Sequence, residues 1–187
     1  MIMEETDEYL ISEYLKGDED SFKVLLSKYT SSIYNFSTRF VGRENASDIT
    51  QDVFIKVWKN IKKFDIEKAH FKTWLFTIAR NTITDYLRKK KMINFSSLDR
   101  DEVDFADNIE DDVVLPDEAL LQLEDKEVLN NTLDKIPPNY REVLILYYQE
   151  EMTFNEIGKL LNKPLNTVKS YHHRALILLR GILAPEL

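Results

Sequence analysis

The chain has 187 residues, of which 43% are hydrophobic and none is cysteine, so it can bury one sizeable core or two small ones but cannot form a disulfide or a thiolate metal site. With only 4 Gly and 5 Pro it favours long helices over many turns, and it contains no run of about 18 apolar residues that would span a membrane. The acidic start (Glu4, Glu5, Asp7, Glu8) is unlike a basic-flanked signal peptide, which with the missing cysteines gives the expectation of a cytoplasmic protein.

The net charge of -8 is unevenly spread: residues 56–91 carry 11 basic and 3 acidic side chains, residues 92–118 carry 1 and 10, and residues 135–181 carry 7 and 4. Phosphate binding depends on local charge, so two basic regions on an acidic protein remain compatible with DNA.

In chain order, Tyr9, Leu10, Leu15, Phe22, Leu25, Leu26 and Tyr29 recur at helical spacing, with a break near Gly17 and Asp20 or Ser21 placed to cap a second helix. Ile33, Tyr34, Phe36 and Phe40 continue it. Residues 42–47 read as a short polar turn, and a long helix is predicted from near Ser47. Its buried stripe is Ile49, Val53, Phe54, Val57, Trp58 and Ile61, with Asp48, Gln51, Asp52 and Lys56 on or beside the outward face.

Residues 64–70 read as a loop or short turn, and a further helix starts at Phe71 with Trp74, Leu75, Ile78, Ala79, Ile83, Tyr86 and Leu87 turned inward. Its tail carries Arg80, Arg88, Lys89, Lys90 and Lys91 among Asn81, Thr82 and Thr84, more positive charge than a helix dipole uses. Periodicity then fails over residues 92–117, where closely spaced carboxylates make a self-repelling linker. It resumes at Leu120, Leu121, Leu123, Val128, Leu129, Leu133 and Ile136, stops at Pro137 and Pro138, and continues through Tyr140, Val143, Leu144, Leu146 and Tyr147.

Residues 153–180 have the pattern of a helix-turn-helix. Thr153 and Glu156 have capping-box spacing, Phe154, Ile157, Leu160 and Leu161 follow at helical intervals, Asn162 fits a left-handed end, and Gly158 permits close approach. In the second helix Val168, His172, Ala175 and Leu179 share the packing seam. Thr167, Lys169, Ser170, His173 and Arg174 crowd the polar face that such a helix presents to the major groove. The fold class is therefore all-α, two small helical domains over residues 1–91 and 118–187 joined by an acidic flexible linker.

Four segments in this order resemble the small extracytoplasmic-function group of bacterial RNA polymerase sigma factors: DITQDVFIKVWKNI (48–61), FKTWLFTIARNTITDYLRKKK (71–91), IPPNYREVLILYY (136–148) and TFNEIGKLLNKPLNTVKSYHHRALILLR (153–180). The resemblance covers roughly residues 20–183. It implies that Asp48, Gln51, Asp52 and Phe54 dock on the clamp helices of the polymerase beta-prime subunit. It implies too that Phe64 and its loop capture an unstacked minus-ten base beside Asn81 and Asp85, and that Arg80 and Arg88, Lys89, Lys90 and Lys91 hold phosphates. Thr167, Lys169, Ser170, Tyr171, His173 and Arg174 match the positions that meet the minus-thirty-five element. Tyr171 stands where the family often has a basic residue, His172 where it has an aliphatic one, and Glu151 and Asn162 where turn glycines are common.

The implied partners are core RNA polymerase (beta-prime clamp helices and beta flap), promoter DNA and an anti-sigma factor. The acidic linker would thread the polymerase cleft, and no cofactor or metal is implied. Two other classes stand beside this reading: a stand-alone helix-turn-helix regulator, which leaves residues 48–91 without a task, and a metal-dependent nucleic-acid enzyme, for which the linker carboxylates lack a rigid support.

Overall fold

The computed structural model describes residues 6–93 and 132–183. The expectations for residues 94–131, including most of the linker and the first helix of the second domain, lie outside the described residues.

Helix α1 (Asp7–Leu15) starts at Thr6, whose hydroxyl accepts a hydrogen bond from the Tyr9 amide, and buries Leu10 and Ile11. Tyr9 and Leu15, expected inside, are half exposed, because the short helix presents only one face to its neighbour. Helix α2 (Glu19–Val41) is capped by Asp18 rather than by Asp20 or Ser21. The Asp18 carboxylate accepts from both of those residues, from the Asp20 amide at 3.1 Å and the Ser21 hydroxyl at 2.6 Å.

The turn expected over residues 42–47 is a single residue. Gly42, at φ 78°, ends α2, and α3 (Arg43–Asn60) begins immediately. A positive φ is strained for a residue with a Cβ, so glycine makes so sharp a joint possible. Ala46, on the first turn of α3, is fully buried, so the polar residues around it are the outer face of a helix rather than a loop. A 3-10 turn (Ile61–Lys63) leads into the loop, and α4 (Phe71–Ile93) follows as expected.

The first bundle packs α2, α3 and α4 around Leu25, Ile33, Val53, Val57, Ile61, Leu75 and Ala79, all without exposed surface. Each such aliphatic side chain of Val size or larger contributes about 1.5–3 kcal/mol of hydrophobic stabilisation. Trp58, expected in this stripe, is 57% exposed, and Phe54 only partly buried.

The second module has α5 (Pro138–Leu144), a π turn (Ile145–Gln149), α6 (Phe154–Leu161) and α7 (Leu165–Leu183). Pro138 occupies the first turn of α5, where a missing N–H costs nothing. Leu133, Ile136, Leu144, Ala175 and Leu179 form a small core of its own. The larger core is continuous from the first bundle into Val143, Leu146, Ile157, Leu161 and Val168, with α4 lying against α6.

Candidate nucleic-acid and polymerase interfaces

The helix-turn-helix is built by local chemistry. The Thr153 hydroxyl accepts from the Glu156 amide at 3.3 Å, and the Glu156 carboxylate accepts from the Thr153 amide at 2.8 Å, so both parts of the capping box form. Burial pushes the Glu156 carboxyl up, but the Thr153 hydroxyl and amide outweigh it and hold the group below its ordinary value. Asn162 takes the left-handed conformation at φ 53° and ψ 46°, and the Lys163 amide donates to the Gly158 carbonyl at 2.9 Å. A Cβ on Gly158 would stand 3.0 Å from the Lys163 carbonyl oxygen, so a larger residue there would push the turn open by a few tenths of an ångström.

On α7, Lys169 and Ser170 are exposed, while Thr167, His173 and Arg174 are partly buried on or beside the same face. Tyr171 is set apart from this group. Its ring meets Tyr140 edge-on at 5.2 Å, with the Lys163 ammonium 5.4 Å from the ring centroid, so it serves as a wall that places a cation at the entry to the helix. His172 lies among Tyr147, Tyr148 and Phe154, with ring centroids 4.9, 5.5 and 5.1 Å away, and its Nε2 is 3.2 Å from the Tyr148 hydroxyl.

On α4, Asn81, Lys89 and Lys90 are exposed, and Arg88 pairs with Asp85 at 3.0 Å. The backbone of Lys91 continues the helix, but its side chain is outside the described residues. Phe64 is partly buried against Trp74 at 5.0 Å and Phe71 at 5.7 Å, so its ring braces the loop. Arg80 points toward the second module and pairs with Glu142 at 3.0 Å. Burial raises the Glu142 carboxyl above its ordinary value, while Arg80 and Lys163 pull it down.

On α3, Asp48, Gln51 and Asp52 are exposed. The same face continues at helical intervals through Ile55 and Trp58, 42% and 57% exposed. The sequence reading missed these two. The available signal was an excess: the run VFIKVW offers more apolar residues than one helix face can bury.

Residues 25–92 match the family model "Sigma-70 region 2" and residues 126–179 match "Sigma-70, region 4". A curated relative, the ECF RNA polymerase sigma factor SigW of Bacillus subtilis (strain 168), is 36% identical over 168 residues, which is 88% of this chain and 89% of the relative. The chain belongs to the sigma-70 family, in its extracytoplasmic-function group.

Two solved structures share the sigma-factor fold. CnrH in complex with the cytosolic domain of CnrY covers 98% of this chain and 100% of that one, at TM-score 0.70 and 22% identity. The sigma factor RpoE in complex with the anti-sigma factor NepR from Bartonella quintana covers 87% and 96%, at TM-score 0.66 and 22% identity. As an extracytoplasmic-function sigma factor the protein binds core RNA polymerase and directs promoter-specific initiation; it is not an enzyme, since the polymerase performs the chemistry. No helix among the described residues is long and apolar enough to cross a membrane.

Proposed function

We propose a division of labour along the chain in which residues 1–91 dock on the polymerase and capture the minus-ten strand, residues 92–117 thread the polymerase cleft, and residues 118–187 read the minus-thirty-five element. One observation carries the docking assignment: Asp48, Gln51, Asp52, Ile55 and Trp58 form one exposed α3 face in which two large apolar side chains adjoin two carboxylates. An exposed tryptophan ringed by polar groups is the usual anchor of a protein interface. The beta-prime clamp helices are the partner this face fits, with Phe54 supporting it from below and the beta flap meeting the second module.

Phosphate contacts fall to Arg80, Arg88, Lys89, Lys90 and Lys91, which supply affinity with little sequence information. Asn81, Asp85 and the loop braced by Phe64 shape the site for the unstacked base. Thr167, Lys169, Ser170, His173 and Arg174 read or flank the minus-thirty-five groove, with Tyr171 as a positioning residue. The factor works in the cytoplasm under an anti-sigma partner, as the pairing of RpoE with NepR suggests for a chain of this fold.

The test is to measure core-polymerase affinity for Asp52→Lys and promoter preference for Lys169→Ala and Ser170→Ala. The division predicts that the first loses polymerase binding and keeps its fold, and that the other two change the preferred minus-thirty-five sequence while polymerase binding holds. Normal polymerase affinity of Asp52→Lys contradicts the docking assignment, and an unchanged promoter preference contradicts the groove assignment.

A further inference from the structure

The loop between α3 and α4 begins and ends on a phenylalanine. The rings of Phe64 and Phe71 meet edge-on with centroids 5.7 Å apart, and Trp74, on the first turn of α4, lies 5.0 Å from the one and 5.8 Å from the other. Between them the Asp65 carboxylate accepts from the Glu67 amide and pairs with Lys68, and the Asp65 carbonyl accepts from the Lys68 amide. Those bonds stay inside the loop and set its shape, whereas the rings at its two ends set where it sits on the bundle.

The ring cluster is carried one step further by Tyr29 of α2, whose centroid is 5.6 Å from that of Phe71. Tyr29 is 7% exposed. A phenylalanine would fill that space as well, so the hydroxyl needs a partner to be there at all. The partner is Asp7, in the first turn of α1: one carboxylate oxygen accepts from the Tyr29 hydroxyl and the other from the Lys28 ammonium at 2.9 Å. The Thr6 hydroxyl already caps α1, and Leu10 and Ile11 bury its inner face, so Asp7 is not needed for its own helix end. Burial, and then Asp7, push the Tyr29 hydroxyl above its ordinary value, so it stays a donor throughout the working pH range.

We infer that Asp7 and Tyr29 are positioning residues for strand capture, which act through Phe71 to hold the minus-ten loop in the place where it receives the unstacked base. The inference rests on the proposed assignment of the loop braced by Phe64 to base capture. Neither residue touches DNA: Tyr29 is buried, and the Asp7 side chain, 13% exposed, faces α2 behind the loop. A stacked base follows the ring cluster that receives it, so support from behind is felt at the base without contact. A hydrogen bond that locks the Tyr29 ring supplies such support, and it gives α1, which holds none of the proposed DNA or polymerase contacts, a task in promoter opening.

The experiment uses the full chain in polymerase holoenzyme, with fork-junction DNA whose minus-ten non-template strand is single, built from a promoter that the factor selects out of random fragments. An abasic site is moved along that strand, and the position where it weakens binding most is the captured base. The ratio of affinities for intact and abasic DNA then measures capture alone, because docking, phosphate contacts and folded fraction cancel in it. Base–aromatic stacking makes the ratio about tenfold in the wild type. Asp7→Ala and Tyr29→Leu are expected to lower it at least threefold, whereas Asp7→Asn keeps an acceptor for the hydroxyl and stays within twofold of wild type. Val53→Ala weakens the same core from α3, away from the rings, and is expected to keep the wild-type ratio.

Wild-type ratios in Asp7→Ala and Tyr29→Leu overturn the inference, as does an equal fall in Val53→Ala or an Asp7→Asn protein that behaves like Asp7→Ala. If Tyr29→Leu does not fold, as circular dichroism shows, Asp7→Ala gives the answer alone, since it leaves every ring in place. A wild-type ratio near one at every position removes base capture and the inference with it. A tenfold wild-type ratio that the Asp7 and Tyr29 variants leave untouched keeps base capture and removes only the positioning role.

Discussion

Replacing Trp58 by alanine separates docking from folding. Complete truncation of a buried tryptophan costs about 3–5 kcal/mol, but Trp58 is 57% exposed, which reduces the packing loss to about 1–2 kcal/mol. Alanine returns up to about 0.7 kcal/mol in helix propensity, leaving a net loss of about 1 kcal/mol, or about 2–4 °C in melting temperature for a chain of this size. An interface tryptophan contributes at least about 2 kcal/mol, so the dissociation constant for core polymerase rises about thirtyfold. Leu75→Ala is the opposite control: Leu75 has no exposed surface, so truncation costs about 2–5 kcal/mol of stability while the folded fraction keeps its polymerase affinity. Urea unfolding and competition for labelled core polymerase measure the two quantities on the same preparations. A Trp58→Ala protein that binds polymerase within threefold of wild type, or loses more than about 2.5 kcal/mol of stability, refutes the reasoning.

Thr153→Ala removes both hydrogen bonds that its hydroxyl makes in the capping box and is expected to cost about 1 kcal/mol, read as a fall of about 2–4 °C in melting temperature; an unchanged value would show that the cap is idle. Glu151 sits at φ 52°, where a side chain costs about 1–2 kcal/mol; Glu151→Gly relieves this, gives back about 0.5–1 kcal/mol in unfolded-chain entropy, and should stabilise by about 0.5–1 kcal/mol in the same assay. Burial raises Glu142 and Glu150 above their ordinary value of 4.5. Between 4.5 and the raised values the folded protein binds more protons than the unfolded chain, so their contribution to stability is full below 4.5 and is lost as pH climbs through the raised values. Glu150→Gln cannot ionise, so its stability relative to wild type should improve across that window, and parallel pH profiles would contradict the sign.

The helix-turn-helix was legible because each part is local. Thr153, Glu156, Gly158 and Asn162 act within a few residues of themselves, and their spacing is visible in the chain. The joint at Gly42 was less so, since the polar residues after it are equally suited to a turn and to the outer face of a helix; the buried Ala46 decides between them. Trp58 was misplaced for a related reason: in a run with Val53, Phe54, Ile55 and Val57, periodicity alone cannot choose which large side chain stays outside. The seam between the modules was not legible at all, because Arg80 and Glu142 are 62 residues apart and neither departs from an ordinary helical pattern. Tyr171 matched a DNA-facing position in the family pattern, yet its contact with Tyr140 depends on how α5 crosses α7, which no local signal records.

Polymerase-dependent promoter choice is the most direct test of sigma-factor function in this chain. Purified core polymerase is given a pool of random promoter fragments with and without this protein, and the RNA starts are sequenced. New starts that share two upstream elements at fixed spacing, lost with Trp58→Ala at limiting factor, are expected. No new starts, with sequence-specific duplex binding by the protein alone, would contradict that function.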